Sequence, residues 1–370
     1  MVDSSLRISC SRDALVEALG VTARGVSARS SVQILSGIAL FAREGMVELA
    51  ATDMELSLRT SVAADVDGAG SSVAPGRLLL DVVRLLPDAR VELAYRSEEN
   101  ILVVTSGSAE YRLRTYAAED FPRLPDTAAI DSWEVPCEPL LETVARVGRA
   151  ASRDESRPVL TGILVRFEGG KLVMAATDSY RLAVKETSLD GDLPALEAII
   201  PARALEELRR VAAGSETVSI GVHENQVVFG AGDVWLTTRR IDGQFPNYRQ
   251  LLPETFEHEI VLPRDEVLDV VRRTSVMAQR NSPLRLRFAD GELTVSAQTQ
   301  DVGESRESLP VPFSGEPLEI GFNPDFLRDG IESLVDDEIV LKLINPLRPG
   351  LLSTAADDFW YLIMPIRLAG

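Results

Sequence analysis

The chain has 370 residues, 45% of them hydrophobic and 26% charged, with a net charge of −19 and two cysteines, Cys10 and Cys137. This length predicts two or three domains with sizeable cores. The composition argues against a membrane-spanning or disulfide-framed protein and fits a reducing cytoplasm. The net charge excludes a surface coated for nucleic acid but leaves room for a local basic lining. The first ten residues lack the basic and apolar segments of a signal peptide.

In chain order, apolar residues at helical spacing predict amphipathic helices over 11–19, 138–147 and 264–273. A paired motif follows: Ile34-Leu35-Ser36-Gly37-Ile38, then Val159-Leu160-Thr161-Gly162-Ile163, with a degenerate third copy at 283–288. Each precedes a hairpin turning at Glu44-Gly45, Gly169-Gly170 or Asp290-Gly291. Within these hairpins the stretch L-A-A-T-D-M-E-L reappears as M-A-A-T-D-S-Y-R, and Thr52 and Thr177 stand 125 positions apart. Such a repeat outweighs any single motif. Second helices are expected to begin at Pro75, Pro201 and Pro324, where a missing N–H is harmless. Two thirds close on matching proline-rich linkers, Asp120-Phe121-Pro122 and Gln244-Phe245-Pro246. The expected organisation is three α+β modules, 1–125, 126–253 and 254–370, each β-α-β-β-β-α-β-β-β.

Catalytic chemistry is not evident. His223 and His258 have no metal spacing, two cysteines cannot form a zinc site, and no phosphate-binding or nucleophile motif occurs. Gly68-Ala69-Gly70 and Gly230-Ala231-Gly232 read as turns, and Asp53 and Asp178 as turn-formers. No cofactor and no metal are expected. What recurs is arginine. With only three lysines, positive charge gathers on guanidinium groups beside the helices, among them Arg24, Arg77, Arg149, Arg153, Arg157, Arg203 and Arg280. One such helix reads as a solvated face. Repetition in three modules points to a surface that meets phosphates without reading bases.

Three modules of this kind, with A-T-D-S-Y-R-L-A in the second, F-P-N-Y-R-Q-L-L-P closing it and Y-L-I-M-P-I-R-L near the end, resemble the bacterial sliding clamps, the beta subunits of DNA polymerase III. The resemblance implies a ring of two chains joined head-to-tail, with helices inside around double-stranded DNA. It implies no catalysis, but a tether for the polymerase III alpha subunit, the clamp loader and other proteins with a clamp-binding motif. Those arginines would face DNA. A partner groove would comprise Thr177, Ser179, Tyr180, Arg181, Leu182, Pro246, Gln250, Leu251, Leu362, Met364, Pro365, Ile366 and Arg367, with an apolar floor for hydrophobic anchors. The seam would use Tyr111 in the strand over 109–113, facing Val276, Met277, Glu304 and their neighbours.

The chain departs from that family in two groove positions, where Tyr180 replaces a frequent histidine and Gln250 a frequent basic residue, and in a tail of Ala369-Gly370. These departures motivate an alternative, a specialised second copy tolerant of a groove-binding inhibitor. A hydrolase using Asp53 or Asp178 is the weaker enzyme alternative.

Overall fold

The computed structural model describes residues 6–27, 31–127, 130–189, 191, 193–278, 282–299 and 303–368. The first third opens with β1 (Arg7–Ser11), α1 (Arg12–Thr22), β2 (Gly37–Arg43), β3 (Met46–Thr52), β4 (Leu56–Gly68) and β5 (Gly70–Pro75). It continues with α2 (Gly76–Arg84), β6 (Arg90–Arg96), β7 (Ile101–Ser106) and β8 (Ala109–Arg114). The second third runs β9 (Ser132–Pro136), α3 (Cys137–Gly148), a single turn α4 (Pro158–Thr161), β10 (Gly162–Glu168), β11 (Lys171–Thr177), β12 (Arg181–Ser188) and β13 (Leu196–Pro201). After it come α5 (Ala202–Val211), β14 (Thr217–His223), β15 (Gln226–Ala231) and β16 (Val234–Arg239). The last third holds β17 (His258–Pro263), α6 (Arg264–Ser275), β18 (Leu284–Ala289), β19 (Glu292–Thr299), β20 (Gly303–Pro310) and β21 (Leu318–Phe322). It ends with α7 (Pro324–Glu332), β22 (Glu338–Leu343), β23 (Gly350–Ser353) and β24 (Phe359–Ile363).

The α+β repeat is thus real, but each third has four strands between its two main helices rather than three. The additional strand, β5, β13 or β21, is short and feeds directly into the second helix. Two of the three proline starts move accordingly. Pro75 and Pro201 are the last residues of β5 and β13, and Pro75 takes an extended ψ of 110° with φ −56°. The fixed φ of proline suits that extended exit as well as a helix start. Pro324 does occupy the first turn of α7, behind the Asn323 cap, whose side chain accepts from the N–H groups of Asp325 and Phe326.

The chain forms two compact units, Met1–Cys137 with Glu207–Arg240, and Glu138–Glu206 with Ile241–Gly370. In the first, a path β8-β7-β6-β1-β4-β16-β15-β14-β9 is joined by β2, β3 and β5 into one antiparallel sheet of twelve strands. Alternation along β3 explains its two-sided burial. Val47, Leu49 and Ala51 face the core shared with Leu15 and Leu19 of α1 and Leu79 and Val83 of α2, whereas Ala50 joins Leu35, Val73 and Phe121 in a second cluster. In the second unit, β13-β10-β11-β12-β24-β23-β22-β17 form one sheet and β20-β19-β18-β21 another. Gly37 and Gly162 in the paired motif are explained by strand approach: a Cβ there would lie 2.5 Å from Val73 Cγ1 and 2.4 Å from Ile199 Cγ2. Cys10 and Cys137 are buried and free, and burial pushes the Cys10 thiol up to about 11. No helix among the described residues is long and apolar enough to cross a membrane.

The Thr-Asp turns are built alike in both units. Thr52 Oγ1 donates to Leu56 O at 3.1 Å and accepts from Met54 N at 3.0 Å, while Asp53 Oδ1 accepts from the N–H groups of Glu55 and Leu56. These bonds hold Met54 at a φ of 79°, a region that costs a non-glycine residue energy. Thr52 is 1% exposed. Thr52→Val, which removes these two bonds and the one that Thr52 Oγ1 accepts from Ser57 Oγ at 2.9 Å without changing shape much, is expected to destabilise the first unit by about 1–3 kcal/mol. Denaturant titration reads this directly, and a change within experimental error would mean that water satisfies the turn.

Candidate functional site

The second copy of this turn carries the central candidate residues. Thr177 Oγ1 donates to Arg181 O at 2.6 Å and accepts from Ser179 N at 3.1 Å. Asp178 Oδ1 accepts from the N–H groups of Tyr180 and Arg181 at 2.9 and 3.0 Å. Thr177 and Asp178 are therefore fasteners, and what they present is Tyr180, 60% exposed, beside Ser179 at a φ of 81°. The carbonyl of Tyr180 accepts from Met364 N at 2.9 Å, which brings the segment after β24 alongside the turn. Met364 is 43% exposed, Pro365 and Ile366 are half-buried, and Arg367 is exposed. The tail Ala369-Gly370 lies outside the described residues.

Arg181 is turned inward. Its guanidinium binds Asp178 Oδ2 at 3.0 Å, Asp329 Oδ2 of α7 at 2.6 Å and the Tyr361 hydroxyl at 3.0 Å, and stacks 4.4 Å from the Phe326 ring centroid. Its side chain is only 10% exposed, so it braces the turn from within. Burial pushes the Tyr361 hydroxyl well above the ordinary tyrosine range, which keeps it neutral.

Leu182 and Leu362 lie opposite each other where β12 meets β24, 2% and 4% exposed. They form the sheet face on which the second linker packs: Phe245, Tyr248 and Leu252 share their cluster, with Val159, Ile241 and Trp360. Pro246, Gln250 and Leu251 are the exposed residues interleaved with this packing, Leu251 at 49%. Phe245 and Tyr248, which share this packing, are not among the residues expected from the sequence. The signal was available, because Phe121 in the first linker packs under Leu35 in the same way, and Phe121-Pro122 matches Phe245-Pro246.

Of the arginines, Arg24 reaches Glu207 Oε2 at 3.4 Å and Arg149 reaches Glu332 Oε2 at 2.6 Å and Asp329 Oδ1 at 3.6 Å. Arg157 binds Asp154 at 3.0 Å and Ser179 Oγ at 3.1 Å. Arg77 and Arg153 are exposed and make no ion pair among the described residues. Arg203 is exposed in the first turn of α5, and Arg280 lies outside the described residues. The carboxylates respond. Hydrogen bonds from Ser156, then Arg157, hold Asp154 below the usual range. Glu332 is also lowered: burial opposes this, but Arg272 and Arg149 outweigh it.

Of the seam candidates, Tyr111 is 41% exposed on β8, an edge strand, and Glu304 is exposed on β20, another edge. Val276 is 80% exposed just past α6, and the carbonyl of Met277 accepts from Thr299 Oγ1 at 2.9 Å. Among the described residues, no group of three or more His, Cys, Asp or Glu is placed to hold a metal ion.

Family models for the DNA polymerase III beta subunit match the chain in order: the N-terminal domain over residues 6–125, the central domain over 134–247 and the C-terminal domain over 249–367. The beta sliding clamp of Streptomyces coelicolor is 33% identical over 99% of this chain and 100% of its own length. That of Staphylococcus aureus is 30% identical over 98% and 99%. The crystal structure of the Bacillus subtilis DNA polymerase sliding clamp superposes with a TM-score of 0.93 at 28% identity, covering 99% of this chain and 100% of that one. The crystal structure of the C. crescentus beta sliding clamp does so with a TM-score of 0.93 at 30% identity, covering 99% and 100%. The chain belongs to the bacterial beta sliding clamps, the non-catalytic processivity subunits of DNA polymerase III.

Proposed function

We propose that two copies of the chain close head-to-tail around duplex DNA in the cytoplasm, and that the modules acting there are 1–125, 126–253 and 254–370. The ring tethers the polymerase III alpha subunit, the clamp loader and other proteins bearing a clamp-binding motif. Their peptides dock at the turn carrying Ser179 and Tyr180, beside Met364, Pro365, Ile366 and Arg367, with Pro246, Gln250 and Leu251 on the linker side. Thr177, Arg181, Leu182 and Leu362 shape this groove from beneath. Tyr111 on one chain and Val276, Met277 and Glu304 on the other belong to the seam.

The observation that carries the reading is the position of arginine in a chain of net charge −19. Arg24 and Arg149 follow the first helices of two modules, and Arg77 and Arg203 are the second residues of α2 and α5. Exposed guanidinium groups at helix ends hold phosphates irrespective of base sequence, which is what a sliding contact requires. For the double substitution Arg24→Ala, Arg203→Ala, the slope of log affinity for duplex DNA against log salt is expected to fall by about two, one per lost phosphate contact. A slope equal to that of the native protein rejects the DNA-facing assignment of these two residues.

A further inference from the structure

The first unit carries a second copy of the backbone frame on which the proposed groove is built. β4 and β16 set Ser57 opposite Thr237 and Arg59 opposite Trp235, as β12 and β24 set Leu182 opposite Leu362 and Val184 opposite Trp360. Each of these residues stands 125 positions from its counterpart. Met54, at a φ of 79°, answers Ser179 at 81°. Glu55 O accepts from Arg239 N at 3.0 Å, as Tyr180 O accepts from Met364 N at 2.9 Å. Phe121 and Pro122 hold in the first linker the place of Phe245 and Pro246 in the second.

The backbone repeats and the lining does not. Where the second unit has Leu182 and Leu362, the first has Ser57 and Thr237; Tyr180 gives way to Glu55, Met364 to Arg239 and Pro365 to Arg240. An apolar floor has become a hydroxyl floor. Thr237 is 6% exposed, and Ser57 Oγ donates to Thr52 Oγ1 at 2.9 Å. A hydrophobic anchor set on it would cover polar groups without bonding them, which is costly.

Cations gather around this floor and are only partly satisfied. Arg123 and Arg239 are exposed, and neither side chain has a hydrogen bond or ion pair among the described residues. Arg240 Nη2 donates to the Glu224 carbonyl at 2.9 Å, yet its Nε is buried without a partner among the described residues. The same holds for Oε1 of Gln226, which lies opposite Arg239 where β15 meets β16. Arg123 precedes Pro125 by two residues, and Pro125 O accepts from Arg59 Nη2 at 3.1 Å, so the linker carries Arg123 over these strands. Most carboxylates close by are engaged: Asp53 with the N–H groups of its own turn, Glu48 with Arg59, and Asp126 as well. Glu55 and Glu224 are exposed, which leaves three guanidinium groups against two carboxylates in a chain of net charge −19.

We propose that this face of the first unit is a second docking surface, and that its occupant is an extended peptide segment rich in Asp or Glu. The site is additional to the groove of the second unit, and neither reading depends on the other. Arg123, Arg239 and Arg240 take carboxylates spaced along the segment, through charge-assisted bonds that a guanidinium fork makes well. Met54, 49% exposed, offers one apolar contact at the rim. A nucleic-acid backbone suits the face less. Glu55 and Glu224 interrupt the basic track and would repel closely spaced phosphates, whereas a peptide can place neutral residues there. The two frames thus select by different physics, hydrophobic anchors in one and charge in the other. Binding at the charged frame weakens as salt rises, because mobile ions screen exposed pairs.

The test uses the full chain with Met54→Cys carrying an environment-sensitive dye, Cys10 and Cys137 being buried. The probe is a short peptide of alternating Glu and Ser, which has no anchor for the groove. The dye is expected to report saturable binding that the same peptide with Gln for Glu does not reproduce. Arg123→Ala with Arg239→Ala is expected to weaken binding about tenfold, since two charge-assisted contacts are lost. The melting temperature should not move, because neither side chain is bonded among the described residues. Arg24→Ala with Arg203→Ala, the pair proposed to face DNA, is expected to change binding by less than about twofold, as independent sites do. Equal binding of the Gln peptide, or native affinity in the Arg123→Ala, Arg239→Ala variant, overturns the proposal. So does a duplex oligonucleotide that moves the dye at lower concentration than the peptide and loses affinity in that variant, since the face would then be a phosphate contact.

Discussion

Arg181→Ala is expected to destabilise the second unit by about 3–5 kcal/mol, the range for removing one partner from a buried ion pair. The cost follows from what is left behind. Asp178 and Asp329, with side chains 13% and 20% exposed, would face each other without their shared cation, and the Tyr361 hydroxyl would lose its donor. Urea unfolding checks the value. Arg181→Lys is expected to recover less than half of it, since one ammonium cannot reproduce a planar fork that reaches three partners while lying on Phe326. A loss below 1 kcal/mol for the alanine variant would show that water enters the network and that the rim is not held from within.

The second large effect concerns the groove. Met364→Asp is expected to weaken capture of a peptide with one or two hydrophobic anchors by at least about 30-fold, as for a central anchor contact. Its thermal midpoint should stay close to that of the native protein, because Met364 is 43% exposed and packs no core. Fluorescence anisotropy with a labelled peptide, run beside a melting curve, separates lost docking from lost folding. The same assay addresses Tyr180 and Gln250. For a general clamp, Tyr180→His with Gln250→Arg should change peptide affinity less than about threefold, within what rim contacts contribute. A much larger gain would favour the specialised second copy.

The repeat was legible because Thr-Asp turns and Leu-x-Gly pairs are local. Thr52 and Thr177 make the same bonds to residues two and four positions on, so sequence alone could carry the inference. The first helices were legible for the same reason, and α6 starts at Arg264 as its spacing predicts. Pro75 and Pro201 misled because proline serves a strand exit and a helix entrance equally. Arg181 could not be read as buried: its partners Asp329 and Tyr361 are 148 and 180 positions away. The same distance hid the bond between Arg24 and Glu207, 183 positions apart. Periodicity specifies which face of a strand is apolar. It does not say which edge meets which, and so the pairing of β4 with β16 and of β12 with β24 had to come from coordinates.

That pairing has a consequence for synthesis. The first unit is not complete at Cys137, because it also needs Glu207–Arg240. At about 5–20 residues per second, the roughly 100 residues from Cys137 to Arg240 take on the order of 5–20 s to emerge from the ribosome. Throughout that delay the edge of β4 from Leu56 to Arg59 waits without β16, as an open template for any passing strand. A nascent chain of this kind depends on dilution or a chaperone until its 240th residue is made, and a product cut short before then keeps the edge open for good.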